Sequence, residues 1–383
     1  MFVLLLTIFV DLVGFGMVFP LLPFFAKGFG ASAFEVSLLI ATYSAMQMIA
    51  APLWGRLSDR FGRKLILLTT LAGGGLSYVW FGYAESLPAL FAARALAGLM
   101  AGNISVAQAY MSDITPAAER AGAMGRLGAA FGFGFVVGPA LTGLLIGDNP
   151  GTADFHRPCL AAAGISFFAV LLGLAILREP DRRSRRQENR KKLLTAATAN
   201  GIPAVILLSF VVIVVFTQLI AIFPLWTEAR IDWGAREVGY AYAYIGLCIA
   251  LLQGFALGIV NRRIGEFQIL LLGATSMSAG LLLLPFFPSL PGFLGCGLLL
   301  CLGSSFCYPT FTAIISQRAG EENQGAVLGL ANAVGSLGRI IGPPLAGIGF
   351  DHIGPDWPFL SGGLMLWLVI LAIALLAYRQ RRT

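Results

Sequence analysis

The 383 residues are 57% hydrophobic and only 12% charged, with a mean hydropathy of +0.82. A water-soluble domain of this length needs far more polar surface, so these side chains are built for lipid. The formal charge of +7 does not indicate a nucleic-acid partner, because that would need a basic face on a folded soluble domain and no stretch supplies one.

Apolar runs of about 20 residues, the length that crosses a bilayer as a helix, recur between charges or Gly/Pro clusters. Twelve are predicted, at 2–25, 35–57, 64–84, 88–112, 122–147, 157–178, 202–226, 236–258, 267–287, 291–316, 325–350 and 358–378. Segment 1 is too long for a signal h-region and lacks a basic n-region, so it is read as a spanning helix. It carries Asp11, Pro20 and Pro23. Segment 2 holds Tyr43 and Gln47 and runs into Gly55-Arg-Leu-Ser-Asp59-Arg60-Phe-Gly62-Arg63-Lys64. Segment 4 contains Arg94, Asn103 and Gln108; Arg120 follows it.

Segment 5 is rich in glycine up to Gly138-Pro139, where the missing backbone donor is expected to bend it. The stretch from Arg178 to Lys192, with eight basic and three acidic residues, is the only long polar segment. It is read as a cytoplasmic connector, residues 179–200, between bundles at 1–178 and 201–383. Segment 7 contributes Gln218, and segment 8 contributes Tyr242 and Gln253. Segment 11 has Asn332, Ser336 and Arg339, with a second expected bend at Gly342-Pro343.

The chain repeats itself. Gly55–Lys64 has a weaker copy at Gly258-Ile-Val-Asn-Arg262-Arg-Ile-Gly265, and Phe19-Pro20-Leu21 returns as Phe223-Pro224-Leu225. Gly134-x3-Gly138-Pro139-x3-Gly143 matches Gly338-x3-Gly342-Pro343-x3-Gly347. Three matches in one order at offsets of 203 to 204 imply two duplicated halves. In so apolar a chain this points to a secondary transporter, with matching bends that suit rocking of one half against the other. Static close packing through small residues is the alternative use of the same glycines.

Lys and Arg fix an expected orientation. With the N-terminus inside, 20 of the 26 fall on the cytoplasmic side and only Lys27, Arg157, Arg230 and Arg236 on the other. Both termini are therefore expected in the cytoplasm. The five cysteines lie in or beside apolar segments with no zinc spacing, which fits small packing residues rather than disulfides.

Charges inside the membrane are the functional candidates. Asp11 is the one acid near mid-membrane, and Arg94 and Arg339 are the cations. A carboxylate at that depth gains or loses its proton as water or a cation reaches it, so Asp11 is read as a proton carrier, against an acid fixed in a structural pair. The backbones of Asp11 and Arg94 should differ by roughly 9 Å in depth, which a long Arg side chain bridges in part. Direct pairing is one option; bonding of Arg94 to helix carbonyls or a polar neighbour is the other.

Helical phase puts Arg94 and Gln108 near one face and Asn103 half a turn from Arg94. It also groups Asn332 with Ser336 and Arg339, and Tyr242 with Gln253. These residues, with Tyr43, Gln47 and Gln218, are the candidate lining of a substrate path, interhelical hydrogen bonds being the alternative for each.

The run Gly55–Lys64 resembles the loop motif between helices 2 and 3 of the major facilitator superfamily. Arg94-x3-Gly98-x2-Ala101-Gly102 resembles that superfamily's helix 4 motif, and Gly128–Gly143 the helix 5 motif of its drug:proton antiporters. Asp11-x8-Pro20 with Pro23, and Ala109-Tyr-Met-Ser-Asp-Ile-Thr115, are closest to the tetracycline-efflux branch. The resemblance implies an all-α integral membrane protein with 12 transmembrane helices in two pseudo-symmetric six-helix bundles. It also implies that Asp59 helps lock the outward-open state through Arg contacts and the start of helix 11, with Gly55, Arg60, Gly62, Arg63 and Arg120 completing that gate. Helix-terminal dipoles and Arg63 or Arg120 supply the physics for such a lock. One departure matters: tetracycline exporters carry further intramembrane Asp residues in helices 3 and 9. Here the aligned helix 3 position is Ser77, followed by Tyr78, and segment 9 has no acid, which argues against tetracycline as the substrate.

The expected function is proton-coupled export of lipophilic or amphiphilic small molecules by alternating access. A proton-coupled symporter importing a sugar or organic anion is the alternative within the same fold. A membrane-embedded enzyme would need a catalytic constellation, and His156 and His352 stand at outer helix ends with no paired carboxylates. No cofactor or metal is expected. The expected partners are a small-molecule substrate, protons and membrane lipid, with no nucleic acid, in a monomer of the bacterial inner membrane.

Overall fold

The computed structural model describes residues 2–116, 119–147, 154–180 and 201–380, without the side chains of 120–121, 321–322 and 377–380. The expected connector therefore lies almost wholly outside the described residues. Among the described residues twelve helices are long and apolar enough to cross a membrane: α1 Phe2–Gly28, α2 Ala33–Phe61, α3 Arg63–Gly82, α4 Leu87–Ile114, α5 Gly122–Leu145, α6 His156–Ile176, α7 Ile202–Ile231, α8 Ala235–Asn261, α9 Glu266–Phe286, α10 Leu290–Gly320, α11 Asn323–His352 and α12 Trp357–Leu376. All twelve predicted segments are present. The main difference is that α2 continues to Phe61, so most of the Gly55–Lys64 motif is helical rather than loop.

Local chemistry sets the boundaries. Ser32 and Glu35 form a reciprocal capping box that opens α2, and Gly62, at φ +111°, ends it. Ser289 accepts from the Gly292 amide at the start of α10, and Gly320, at φ +70°, separates α10 from α11. Large apolar side chains such as Phe255 (71% exposed) and Leu368 (70%) face outward. In water such a surface would aggregate; in a bilayer it meets acyl chains.

Two compact units are formed by the described residues within Met1–Ser184 plus Asp232–Leu247, and within Arg185–Ile231 plus Cys248–Thr383. The start of α8 belongs with the first unit because small residues let it lie directly on α5. A Cβ on Gly239 would stand 2.7 Å from the Pro139 carbonyl oxygen, and one on Gly246 2.9 Å from the Val136 side chain.

The sequence repeat is also a packing repeat. In the first unit α5 lies on α1, where a Cβ on Gly138 would come within 2.5 Å of the Val13 carbonyl oxygen. In the second, α11 lies on α7, and a Cβ on Gly342 would come within 2.2 Å of Thr217 Oγ1 and 2.6 Å of the Val214 carbonyl oxygen. Both helices run through their prolines, Pro139 and Pro343, without interruption. At these two positions the glycines serve close backbone approach. None of the five cysteines is in a disulfide, and four are buried; Cys159 fills the space beside Gly82 and Cys307 that beside Gly273.

Candidate functional site

The first unit has a polar centre in an apolar surround. Asp11 on α1 is buried, at 9% exposure, and its Oδ2 accepts a 2.7 Å hydrogen bond from Asn103 Nδ2. Arg94 is 2% exposed, with its guanidinium carbon 4.6 Å from the centre of the Tyr43 ring. The Tyr43 ring is also approached by Phe15, at 5.1 Å between ring centres and tilted to it. Tyr78 on α3 lies within electrostatic range of Asp11, Tyr43 and Arg94. Among the described residues Arg94 forms no ion pair with Asp11, and its Nε has no hydrogen-bond partner. Arg94 is thus held by an aromatic face, and Asp11 by an amide.

Asn103 corrects the phase reading. α4 is helical to Met100, turns at Ala101–Gly102 and restarts at Asn103. An unbroken helix would put Arg94 and Asn103 on opposite faces; the turn resets the phase, and both side chains are buried in the same unit. The same reset removes the basis for grouping Gln108 with Arg94, and Gln108 is exposed. Gln47, a lining candidate, donates to the Ala101 carbonyl at 3.4 Å, inside the turn, an interhelical hydrogen bond of the kind given as its alternative role.

At the far end of α2, Arg63 gathers the motif. Its Nη2 pairs with Asp59 at 2.6 Å, its Nε with Asp113 at 2.9 Å and its Nη1 donates to Ser58 Oγ at 2.5 Å. The Arg63 and Lys64 amides, the open end of α3, donate to the Glu179 carboxylate at 2.5 and 2.9 Å. Gly62 makes room for that carboxylate, since a Cβ there would sit 2.8 Å from it. Arg60 lies 5.3 Å from the Phe61 ring centre, and a Cβ on Gly55 would meet nothing within 4 Å. The side chain of Arg120 lies outside the described residues. Asp113 and Glu179 were missed as partners: one closes the segment 4 motif and the other opens the connector, and neither position carries a pairing signal in sequence.

In the second unit, Asn332, Ser336 and Arg339 share one face of α11. Ser336 donates to the Asn332 carbonyl at 3.0 Å, and Arg339 Nη2 to Ser336 Oγ at 2.7 Å. Arg339 also acts electrostatically on Tyr308 of α10. Gln253 lies in a π-helical turn of α8, Leu252–Ala256, on the rim of a cleft of about 540 Å³ with Tyr308, Thr312, Ser316 and Gln324. Gln218 on α7 is buried, and its Oε1 has no hydrogen-bond partner among the described residues. Tyr242, at the start of α8, is buried in the first unit with its ring edge on Phe19. The expected grouping of Tyr242 with Gln253 is therefore divided between the two units. Tyr308, Thr312 and Gln324 went unnoticed in sequence because hydroxyls and amides near helix ends are common.

Among the described residues no three His, Cys, Asp or Glu side chains are arranged to hold a metal.

Known proteins place this architecture. A family model described as Major Facilitator Superfamily matches residues 4–285 and 231–383. The tetracycline resistance protein, class C, of Escherichia coli is 32% identical over 381 residues, covering 96% of this chain and 94% of that protein. Multidrug resistance protein 2 of Bacillus subtilis (strain 168) is 28% identical, covering 95% and 92%. The crystal structure of a bacterial homolog to the human lysosomal transporter Spinster, inward-facing and occupied, superposes with a TM-score of 0.80 at 14% identity, covering 98% of this chain and 96% of that one. With its twelve membrane-length helices, its duplicated packing and a family model that spans both halves, the chain belongs to the Major Facilitator Superfamily.

Proposed function

We propose that the protein exports lipophilic or amphiphilic small molecules in exchange for protons by alternating access, and is not an enzyme. The observation that carries this reading is Asp11: a buried carboxylate on an amide, with no cation paired to it among the described residues. Such a group can take up a proton without breaking an ion pair, which suits a carrier that must load and release in each cycle. Arg94 is stacked on Tyr43 in the same unit and is not paired with Asp11 among the described residues. The relatives named for tetracycline and multidrug resistance support efflux of small organic compounds. Ser77, whose hydroxyl bonds back to the Gly74 carbonyl at 2.6 Å, is the position that the resemblance to tetracycline exporters aligns with an acid of their helix 3, so tetracycline itself is not the proposed cargo.

Arg339, with Asn332 and Ser336, is proposed to select substrates by charge, and Tyr43, Gln108, Gln218, Tyr242 and Gln253 to line their path. The Asp59–Arg63 cluster is proposed to close the cytoplasmic side, with both termini and the connector 179–200 in the cytoplasm of a bacterial inner membrane. The bundles 1–178 and 201–383 would then work as a monomer in lipid, with bending at Gly138-Pro139 and Gly342-Pro343 proposed to contribute to the motion. The test is transport by the purified protein in liposomes, with and without an imposed pH gradient, across cationic, zwitterionic and anionic compounds. Gradient-driven movement of amphiphiles against the proton supports the reading; movement with the proton, or none with any gradient, refutes it.

A further inference from the structure

The break in α4 is held open by side chains of α2. When a helix turns out of register, carbonyls lose their partners, and in lipid they must find others. Trp54 Nε1 donates to the Leu99 carbonyl at 2.6 Å, and Gln47 Nε2 to that of Ala101 at 3.4 Å. Ser105 Oγ donates to the Gly102 carbonyl at 2.8 Å. Gly102 permits the approach, since a Cβ there would lie 2.3 Å from Trp54 Cδ1. The turn is therefore fixed from outside its own helix. Its product is Asn103 at the head of the new helical stretch, 4% exposed and aimed at Asp11.

We propose that Asn103 is a positioning residue for the proton of Asp11: its amide, presented by a turn that Trp54 and Gln47 staple open, favours the bare carboxylate over the acid. A hydrogen bond donated to a carboxylate stabilises the ionised form, and in a dry surround little else does. The groups around Asp11 leave that role to Asn103. On α3 the phenol of Tyr78 lies within electrostatic range of Asp11, and Arg94 on α4 and Tyr43 on α2 are engaged with each other. α5 and α6, packed on α1, bring Gly134, Gly138, Ala162 and Ser166 to it, none of which titrates. Loading of Asp11 then depends on the α2–α4 staple, so a movement that loosens Trp54 would also let the proton bind.

The inference rests on the reading of Asp11 as carrier, but its test needs no transport. The full-length protein in lipid nanodiscs is titrated with acid while infrared spectra record the protonated carboxyl C=O band, assigned to Asp11 by its loss in Asp11→Asn. In Asn103→Leu the midpoint should move alkaline by about one pH unit, a tenfold change in proton affinity and the scale of one charge-assisted hydrogen bond. Asn103→Ser, which keeps a donor, should return most of that shift. Trp54→Phe, which keeps the ring but loses the donor, should move the midpoint in the same direction by less. Native midpoints in both Asn103→Leu and Trp54→Phe would overturn the proposal; if Asn103→Leu does not fold, Trp54→Phe alone decides. A shifted midpoint together with intact uphill transport by Asp11→Asn would keep the pairing and refute the carrier. An unshifted midpoint with transport lost in Asp11→Asn would do the reverse.

Discussion

Replacing Asp11 by Asn tests the mechanism with little structural disturbance. The two side chains are isosteric, and the Asn103 amide that donates to Asp11 Oδ2 at 2.7 Å can donate equally to an amide oxygen. The exchange gives up a charge-assisted hydrogen bond for a neutral one, a loss of about 1 kcal/mol. It also removes a buried charge at a site only 9% exposed, which acts in the opposite sense. Folding and expression should therefore be nearly native. Transport should not be. If one proton exchanges for one neutral substrate molecule, a gradient of one pH unit supports about tenfold accumulation, since each unit is worth about 1.4 kcal/mol. Without a titratable group that ratio falls to one, while downhill exchange of substrate for substrate continues. Proteoliposomes loaded at one pH and diluted into another, assayed for both uphill accumulation and counterflow, give the two numbers. Undiminished accumulation by Asp11→Asn would refute Asp11 as the carrier, and loss of counterflow as well would mean that the residue is structural.

Asp59→Asn should weaken the Arg63 cluster, lowering turnover with little change in KM and making the cytoplasmic ends of the helices more reactive to thiol reagents; native turnover and reactivity would count against a gate. Arg339→Ala should weaken transport of anionic and zwitterionic compounds severalfold while sparing cationic ones, and a uniform loss across the panel would make Arg339 structural. Gly138→Ala, whose new methyl would press on the Val13 carbonyl at 2.5 Å, should cost about 1–3 kcal/mol and lower the melting temperature. Gly128→Ala on the same helix, with nothing within 4 Å, should leave the melting temperature unchanged or raise it.

The sequence by itself determined the class. Lipid solvent, twelve spanning segments and a duplicated chain all follow from composition, run length and an offset of 203 to 204, because in a bilayer each helix satisfies its own backbone and is legible one segment at a time. The repeat of Gly138 at Gly342 was legible as well, but that these glycines let α5 lie on α1 and α11 on α7 is a fact of the tertiary structure. Asp11, Arg94 and Arg339 stood out for the same reason: a charge in an apolar run is expensive wherever the helix points. Pairing was decided only by tertiary structure. Phase arguments assume an unbroken helix, and at the Ala101–Gly102 turn Trp54 and Gln47, on another helix, donate to the carbonyls of Leu99 and Ala101. Of the two options left open for Arg94, direct pairing with Asp11 does not form among the described residues: Asp11 meets Asn103, and Arg94 lies over the ring of Tyr43. Glu179 at the head of α3 belongs to the same kind of fact, since the contact joins residues 115 or more positions apart. A side chain's chemistry is local to the sequence; the group it meets is set by which helices touch, and at what depth.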